Sequence, residues 1–180
     1  MIVNKYAPLP AASLGQLVTY LMRGVPQHKP QRNAALQRAK ARLAHAEVEG
    51  VDWYWPAHEK LSKKANTPLT DEFARLLAPF DPIVWDRRRF SLFWGWEYRF
   101  EAYTPAPKRK LGYYALPLLW HGEVIGWGNA AVADAALQVS IGLAGNHRVS
   151  ADLKRALDAE VDSMATFLGA QQASWTLMAR

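Results

Sequence analysis

The spacing of apolar residues changes along this chain, and the change limits the folds that the chain can adopt. Leu14, Leu17, Val18 and Leu21 recur at intervals of three and four residues, which predicts an amphipathic helix near the N-terminus. After residue 80 the apolar residues instead fall in short, aromatic-rich segments, which are typical of strands. The sequence therefore predicts an α+β fold, in which a helical part is followed by a β-rich part.

A second helix is predicted over residues 32–46. Its apolar side chains form one narrow stripe at helical spacing, made of Leu36, Ala39, Leu43 and Ala46. A polar and basic stripe is expected beside it, made of Gln31, Arg38, Arg42 and His45. This helix thus combines an apolar face with a basic one.

A hairpin is predicted directly after the second helix. Val48 and Val51 flank the turn-forming pair Glu49 and Gly50, and the segment VDWYWP alternates like a strand. Two helices followed by a two-stranded ribbon is the order of a winged helix-turn-helix, whose second helix enters the DNA major groove. The first part of the chain is therefore expected to be a winged-helix-like domain.

The formal net charge of +6 is concentrated in the first two-thirds of the sequence. Residues 1–60 hold eight lysines and arginines against four acidic residues, residues 61–112 hold ten against six, and residues 113–180 hold four against six. No acidic residue precedes Glu47. A solvated surface helix usually mixes charges of both signs, so the purely basic stripe favours a polyanionic partner. A solvated surface is the alternative interpretation.

Four parts are predicted along the chain. Residues 1–60 form the winged-helix-like domain, residues 61–78 a polar linker with a short helix that starts at Thr70, residues 79–170 a β-rich, barrel-like domain, and residues 171–180 a tail. Strands are expected within residues 96–103, 112–120, 123–132 and 136–144. A hairpin turn is expected at His121 and Gly122, and a C-terminal helix from Ser150 to Gly169.

The block from residue 79 to residue 132 carries an ordered series of motifs. They read FDP, then WDR, then EAYTPAPKRKLGYY, then LPLL followed by a glycine-containing segment, and they occupy residues 80–82, 85–87, 101–114 and 116–119. In this order they resemble the C-terminal part of the YcaQ and AlkZ family of winged-helix DNA glycosylases. The resemblance implies a bacterial DNA-repair protein, since that family unhooks interstrand crosslinks and excises N-alkylated bases by hydrolysis.

One element of that family does not occur in this sequence. The family's catalytic Gln-x-Gln or Gln-x-Asp motif lies in the N-terminal half of chains about twice this length, and no glutamine here is followed two positions later by Gln or Asp. This chain therefore resembles only the C-terminal half of the family's longer chains. We expect a DNA-engaging portion of a glycosylase-like protein, and no residue receives a catalytic role.

Two basic pairs within the block are candidates for phosphate contacts. They are Arg87 with Arg88 and Lys108 with Arg109, and they lie on either side of an aromatic segment. Planar guanidinium groups suit bidentate phosphate contacts, so these four residues are predicted to bind DNA together with Arg38 and Arg42. For any one of them a solvated surface is the alternative.

Two acidic residues accompany the basic pairs. Asp81 before Pro82 is expected to form a turn or a cap, and Asp86 to pair with one of the arginines that follow it. Positioning a water molecule for base excision is the alternative role. The aromatic residues of the block are expected in the core, with base stacking as their alternative.

Other classes of site find no support in the sequence. There is no cysteine, the five histidines lack ligand spacing, and no glycine-rich phosphate loop occurs, so neither a metal nor a cofactor is expected. No apolar stretch has the length of a membrane span. A cytoplasmic protein associated with the nucleoid is expected, with double-stranded DNA as its partner. The competing functions are a winged-helix transcriptional regulator and a non-catalytic remnant or interaction module.

Overall fold

Helices and strands of this protein follow one another in a mixed order that matches the predicted α+β class. The structure is a computed structural model that describes residues 2–60 and 72–178. Its elements are α1 (Ile2–Tyr6), β1 (Leu9–Pro10), α2 (Ala11–Gly24), α3 (Arg32–Lys40), β2 (Leu43–Val48), β3 (Val51–Pro56), β4 (Arg75–Leu76), α4 (Arg87–Trp94), β5 (Leu116–Trp120), β6 (Glu123–Ala133), β7 (Ala136–Leu143), α5 (Ala151–Leu168) and β8 (Gln172–Leu177).

The N-terminal elements form a small sheet covered by a helix. Its three strands lie in the order β1-β3-β2, all antiparallel. Helix α2 buries Leu14, Leu17 and Val18, as the helical spacing predicted. The predicted hairpin is confirmed as well, because Val48 pairs with Val51. Its two turn residues both have positive φ, 53° at Glu49 and 75° at Gly50, as a tight two-residue turn requires.

The second predicted helix is shorter than expected. Helix α3 ends at Lys40, and Leu43 and Ala46, expected on its apolar stripe, lie in strand β2 opposite Pro56 and Trp53. Arg42 lies in the turn between the two elements. Pairing with the aromatic strand β3 outweighs the local helix preference of this alanine- and arginine-rich segment.

The short helix predicted from Thr70 onward is absent from residues 72–78, the part of it that the structure describes. Thr70 and most of the predicted linker lie outside the described residues, and Arg75 and Leu76 form strand β4. The N–H of Leu76 donates to Glu160 Oε1 on α5 at 2.8 Å, and Ala74 is fully buried. These contacts with distant residues hold the segment in an extended conformation.

The β-rich part is an open sheet and not the barrel-like sheet that was expected. Its strands lie in the order β4-β5-β6-β7-β8, and within the described residues the edge strands β4 and β8 are not paired with each other. Helix α5 covers one face and packs Leu153, Leu157 and Val161 against the sheet. A helix thus buries the apolar face that closure of a barrel would otherwise bury.

Two local predictions for this part are confirmed. The β5–β6 hairpin turns at His121 and Gly122, both at positive φ. The hydroxyl of Ser150 accepts a hydrogen bond from the N–H of Leu153, and Gly169 ends α5 in the left-handed conformation. The predicted tail, by contrast, contains strand β8, which pairs in parallel with β7.

The predicted strand over residues 96–103 is absent from the structure. The segment has no regular secondary structure, and helix α4, which the sequence did not predict, precedes it. Phe90 on α4 is fully buried and contacts the rings of Trp94, Trp96 and Tyr98, with centroids 4.8 to 6.0 Å apart. The aromatic residues pack around one another in a second core and leave the backbone unpaired with a neighbouring strand.

Candidate nucleic-acid interface

Two adjoining cavities form a groove beside helix α4. The first has a volume of about 520 Å³ and is lined by Arg87, Arg88, Ser91, Leu92, Glu97, Tyr98 and Arg99. The second has a volume of about 550 Å³ and is lined by Trp96, Glu97, Arg99, Glu101, Thr104, Lys108, Lys110 and Leu111. Glu97 and Arg99 line both, so the two cavities adjoin. We call them together the basic groove.

Four exposed cations belong to the basic groove: Arg88, Arg99, Lys108 and Lys110. Glu97 is the exposed acid among the lining residues, so positive charge dominates. A concave surface with several exposed cations raises the local concentration of anions and can contact successive phosphates. The groove therefore has the electrostatic character of a nucleic-acid backbone site.

The buried side of α4 fixes the position of Arg88. Asp86 Oδ1 accepts a hydrogen bond from the N–H of Arg89 and caps the helix, which Gly95 ends at a φ of 63°. Arg89 is almost fully buried, and its guanidinium donates to the carbonyls of Tyr6 and Pro82. Burial lowers the pKa of Arg89, and the negative charge of Asp86 partly offsets this. Arg88, which is exposed, thus lies on a helix whose buried side is held in place by Asp86 and Arg89.

Arg87 is held by the protein itself. Its Nη2 donates to the carbonyl of Pro79 at 3.1 Å, and its Nη1 donates to the carbonyl of Val84. Its guanidinium carbon lies 4.4 Å from the centroid of the Tyr98 ring. Burial lowers the pKa of Arg87 from its ordinary value. Two of its five N–H donors are therefore already used within the chain.

A buried carboxylate organises the loop that carries the lysines. Glu101 Oε2 accepts hydrogen bonds from the N–H groups of Lys110, Leu111 and Gly112 at 2.9, 2.8 and 3.3 Å. Glu101 is only 6% exposed. Gly112 has a φ of 120°, which favours glycine at this position. These contacts join residues 110–112, at the end of the loop, to Glu101 at its start. They place Lys108 and Lys110 along the groove.

The two residues of the predicted Lys108–Arg109 pair have different surroundings. Lys108 is exposed at the end of a short 3-10 turn, Ala106–Lys108. Arg109 Nε donates to the carbonyl of Thr104 at 2.8 Å, and its guanidinium lies 4.8 Å from the centroid of the Tyr113 ring. Lys108 thus lines the basic groove, whereas Arg109 braces the loop.

The structure does not bring Arg38 and Arg42 into this groove. Both are exposed, Arg38 on α3 and Arg42 in the turn that follows it, and neither lines the two cavities. The predicted basic stripe is divided between a helix, a turn and a strand, since His45 lies on β2 and stacks on Tyr54. These residues form a separate basic surface.

Arg99 and Lys110 are groove residues that were absent from the predicted set. Lys110 belongs to the same basic cluster as Lys108 and Arg109, and the sequence left phosphate binding and a solvated surface both open for it. Arg99 lies in the segment predicted as a core strand, where alternation with aromatic residues suggested only structure. Its place in both cavities follows from the irregular path of that segment.

The two acids of the block have structural partners. Asp81 Oδ1 accepts a hydrogen bond from the N–H of Ile83 at 2.8 Å, in agreement with the predicted turn. Asp86, which was expected to pair with one of the arginines that follow it, accepts a hydrogen bond from the backbone N–H of Arg89 and caps α4, and its charge raises the pKa of Arg89 against the effect of burial. Neither acid lines the basic groove.

Two other features are absent from the described part of the chain, a cluster of metal ligands and a membrane-spanning helix. Its histidine, aspartate and glutamate side chains form no group of three or more that could hold a metal ion. None of the helices in residues 2–60 and 72–178 combines the length and the apolar character needed to cross a membrane. The basic groove is thus the arrangement with the clearest chemical character.

A solved structure and a family model are similar to this chain. The fold is similar to that of the Streptomyces sahachiroi DNA glycosylase AlkZ, with 18% sequence identity and a TM-score of 0.49. The similarity covers 83% of this chain and 37% of that chain, so this chain spans well under half of its length. A family model described as DNA glycosylase AlkZ-like matches residues 3–167. Because that match extends over most of the sequence, the chain belongs to the AlkZ-like DNA glycosylase family.

Proposed function

We propose that this protein engages double-stranded DNA through the basic groove, as the DNA-binding portion of an AlkZ-like glycosylase. The observation that carries the proposal is that Arg88, Arg99, Lys108 and Lys110, all exposed, line two adjoining cavities. Family membership supplies DNA as the polyanion. The protein would then act at the chromosome, in association with the nucleoid.

The chemistry of the groove suits a phosphate backbone better than a small anion. Its cations are spread over two cavities that share Arg99, and four of them are exposed to solvent. Spread charges contact successive phosphates and displace their counterions, which gives binding without sequence preference. Arg87 and Arg109, which are held by backbone carbonyls, keep the exposed cations in place.

We further propose that the N-terminal elements act as a winged helix. The order α2, α3, β2, β3, together with β1 beside β3, supports this proposal. In that arrangement α3 is the helix that meets DNA, and it carries Arg38. The β2–β3 hairpin is the wing. Arg38 and Arg42 would thus provide a second contact with the duplex.

We propose that this chain does not cleave the glycosidic bond by itself. The sequence holds no Gln-x-Gln or Gln-x-Asp motif, and Asp81 and Asp86, the two acids beside the basic pairs, have structural partners. Base excision needs a positioned water and stabilisation of an oxocarbenium-like transition state. Recognition of alkylated or crosslinked duplexes is the role that remains for this portion.

The proposal is tested by measuring duplex affinity after removal of two groove cations. The double variant Arg88→Ala/Lys108→Ala is expected to bind a short duplex about tenfold more weakly at low salt, because two phosphate contacts are lost. Fluorescence anisotropy with a labelled duplex measures the affinity. Equal affinity of the folded double variant and the wild type would contradict the proposal.

A matched control separates the groove from total charge. Lys154→Ala/Arg155→Ala removes the same two charges from α5, where these side chains pair with Asp158 and Asp152 and lie outside the basic groove. The control is expected to bind DNA nearly as well as the wild type. An equal loss in both double variants would show that net charge alone, and not the groove, governs binding.

A further inference from the structure

An apolar cleft lies between the β2–β3 hairpin and helix α4. It has a volume of about 370 Å³, and its lining includes Val48, Glu49, Trp53, Trp55, Leu92 and Phe93. Trp53 and Trp55 point to the same side of β3, because alternate residues of a strand share a face. We call this cavity the aromatic cleft.

Two rings in the cleft stack on each other and stay partly open to solvent. Trp53 and Phe93 stack with centroids 5.2 Å apart and an interplanar angle of 8°. Phe93 is 43% exposed and Val48 is 54% exposed, so the apolar surface is open to solvent. A clustered, exposed apolar surface of this kind usually marks a binding site. Parallel aromatic rings are suited to a flat ligand that stacks on them.

The aromatic cleft adjoins the basic groove through one residue. Leu92 lines both the cleft and the groove cavity that contains Arg88. Arg88 and Leu92 are four residues apart on α4 and therefore lie on the same face of the helix. Cationic and aromatic surfaces thus meet at a single helical turn. A nucleotide presents the complementary pair, an anionic phosphate joined to a flat base.

We infer that the aromatic cleft takes an unpaired nucleobase from a strand whose backbone lies in the basic groove. This inference rests on the proposed function, because the groove must hold the phosphates. The base would stack beside Trp53 and Phe93. Glu49, in the lining of the cleft, offers an acceptor to the N–H groups of a base edge and attracts a purine made cationic by alkylation.

The test compares two DNAs that differ by one base. One is a fully paired duplex, and the other is the same duplex with a single unpaired adenine. The wild type is expected to bind the bulged duplex about tenfold more tightly, which corresponds to one base–aromatic stacking contact. Phe93→Ala is expected to abolish this preference while affinity for the paired duplex stays the same. Phe167→Ala, which removes an 89% exposed ring on α5, is the matched control and should keep the preference.

The outcomes separate this inference from the proposed function. Failure to bind either DNA would overturn both. Equal binding of the two DNAs by the wild type, or a preference that survives Phe93→Ala, would overturn the inference alone. Sedimentation gives one more contrary outcome: if the wild type self-associates and Phe93→Ala does not, a second copy of the chain covers the cleft and the base-binding assignment is wrong.

Discussion

Glu101 Oε2 lies 2.8 Å from the backbone nitrogen of Leu111 and accepts its hydrogen bond. The same oxygen accepts two more N–H groups, so one carboxylate holds both ends of the loop together. A charged acceptor satisfies these donors better than a neutral one would. The position of the groove lysines is thus determined by a residue that itself is nearly inaccessible to solvent.

Removal of this carboxylate is expected to destabilise the protein and to weaken DNA binding together. Glu101→Ala leaves three N–H groups without their acceptor, which costs about 2 kcal/mol of unfolding free energy. Urea denaturation measures the loss. Glu97→Ala is the control, because Glu97 is exposed and its removal should leave stability nearly unchanged. Equal stability of Glu101→Ala and the wild type would contradict the role assigned to Glu101.

Tyr98 gives a pH-dependent prediction. Its hydroxyl donates to the carbonyl of Ala115 at 2.6 Å, and burial raises its pKa from 10.0 to about 12. Between these values the unfolded chain loses the proton while the folded chain keeps it. The Tyr98 contribution to stability is therefore complete below pH 10 and is lost as the pH rises towards 12.

The measurement compares Tyr98→Phe with the wild type by urea denaturation across this pH range. At neutral pH the variant is expected to be about 1 kcal/mol less stable, because it lacks the hydrogen bond. Above pH 10 the wild type should lose stability more steeply than Tyr98→Phe. Tyr103→Phe is the control, since Tyr103 is 93% exposed. Parallel pH profiles for all three proteins would refute the assignment.

The sequence predicted elements whose signals are local. Both helix α2 and the hairpin at Glu49 and Gly50 follow from spacing and turn chemistry within a few residues, as does α5 between Ser150 and Gly169. Strand β8 is different, because its partner β7 lies across a whole helix in the sequence. Such long-range pairing leaves no pattern in the segment itself.

In the candidate site, too, features that depend on neighbouring residues were predicted, and features that depend on the fold were missed. Clusters of lysine and arginine are visible in the sequence, and Arg88 and Lys108 were predicted from them. Whether a given cation is free or already bonded depends on the path of the backbone around it, which places the carbonyl of Pro79, eight residues away, at Nη2 of Arg87. The aromatic segment misled the strand prediction, because its rings pack around Phe90 and not along a sheet. Arg99 was therefore missed.

The second basic surface is open to a direct test. Arg38→Ala/Arg42→Ala is expected to weaken duplex binding about tenfold without unfolding the protein, because both side chains are exposed and would each contact a phosphate. Circular dichroism checks the fold, and anisotropy measures the affinity. Unchanged affinity in a folded double variant would reduce this surface to a solvated one.

Base excision provides a test of a different kind. The chain alone is expected to release no N7-alkylguanine above background, because it lacks the family's Gln-x-Gln or Gln-x-Asp motif. Alkylated duplex is incubated with the protein, and abasic sites are then cleaved with alkali and detected as strand breaks. Robust release that Asp86→Asn abolishes would instead locate catalysis within this chain.

The salt dependence of duplex binding tests the central claim most directly. The logarithm of the wild-type association constant should fall linearly with the logarithm of salt concentration, because bound phosphates release counterions. In Arg88→Ala/Lys108→Ala the slope should be smaller in magnitude by about 1.8, the value for two lost phosphate contacts. Lys154→Ala/Arg155→Ala should keep the wild-type slope. Identical slopes for all three proteins would contradict binding of the DNA backbone in the basic groove.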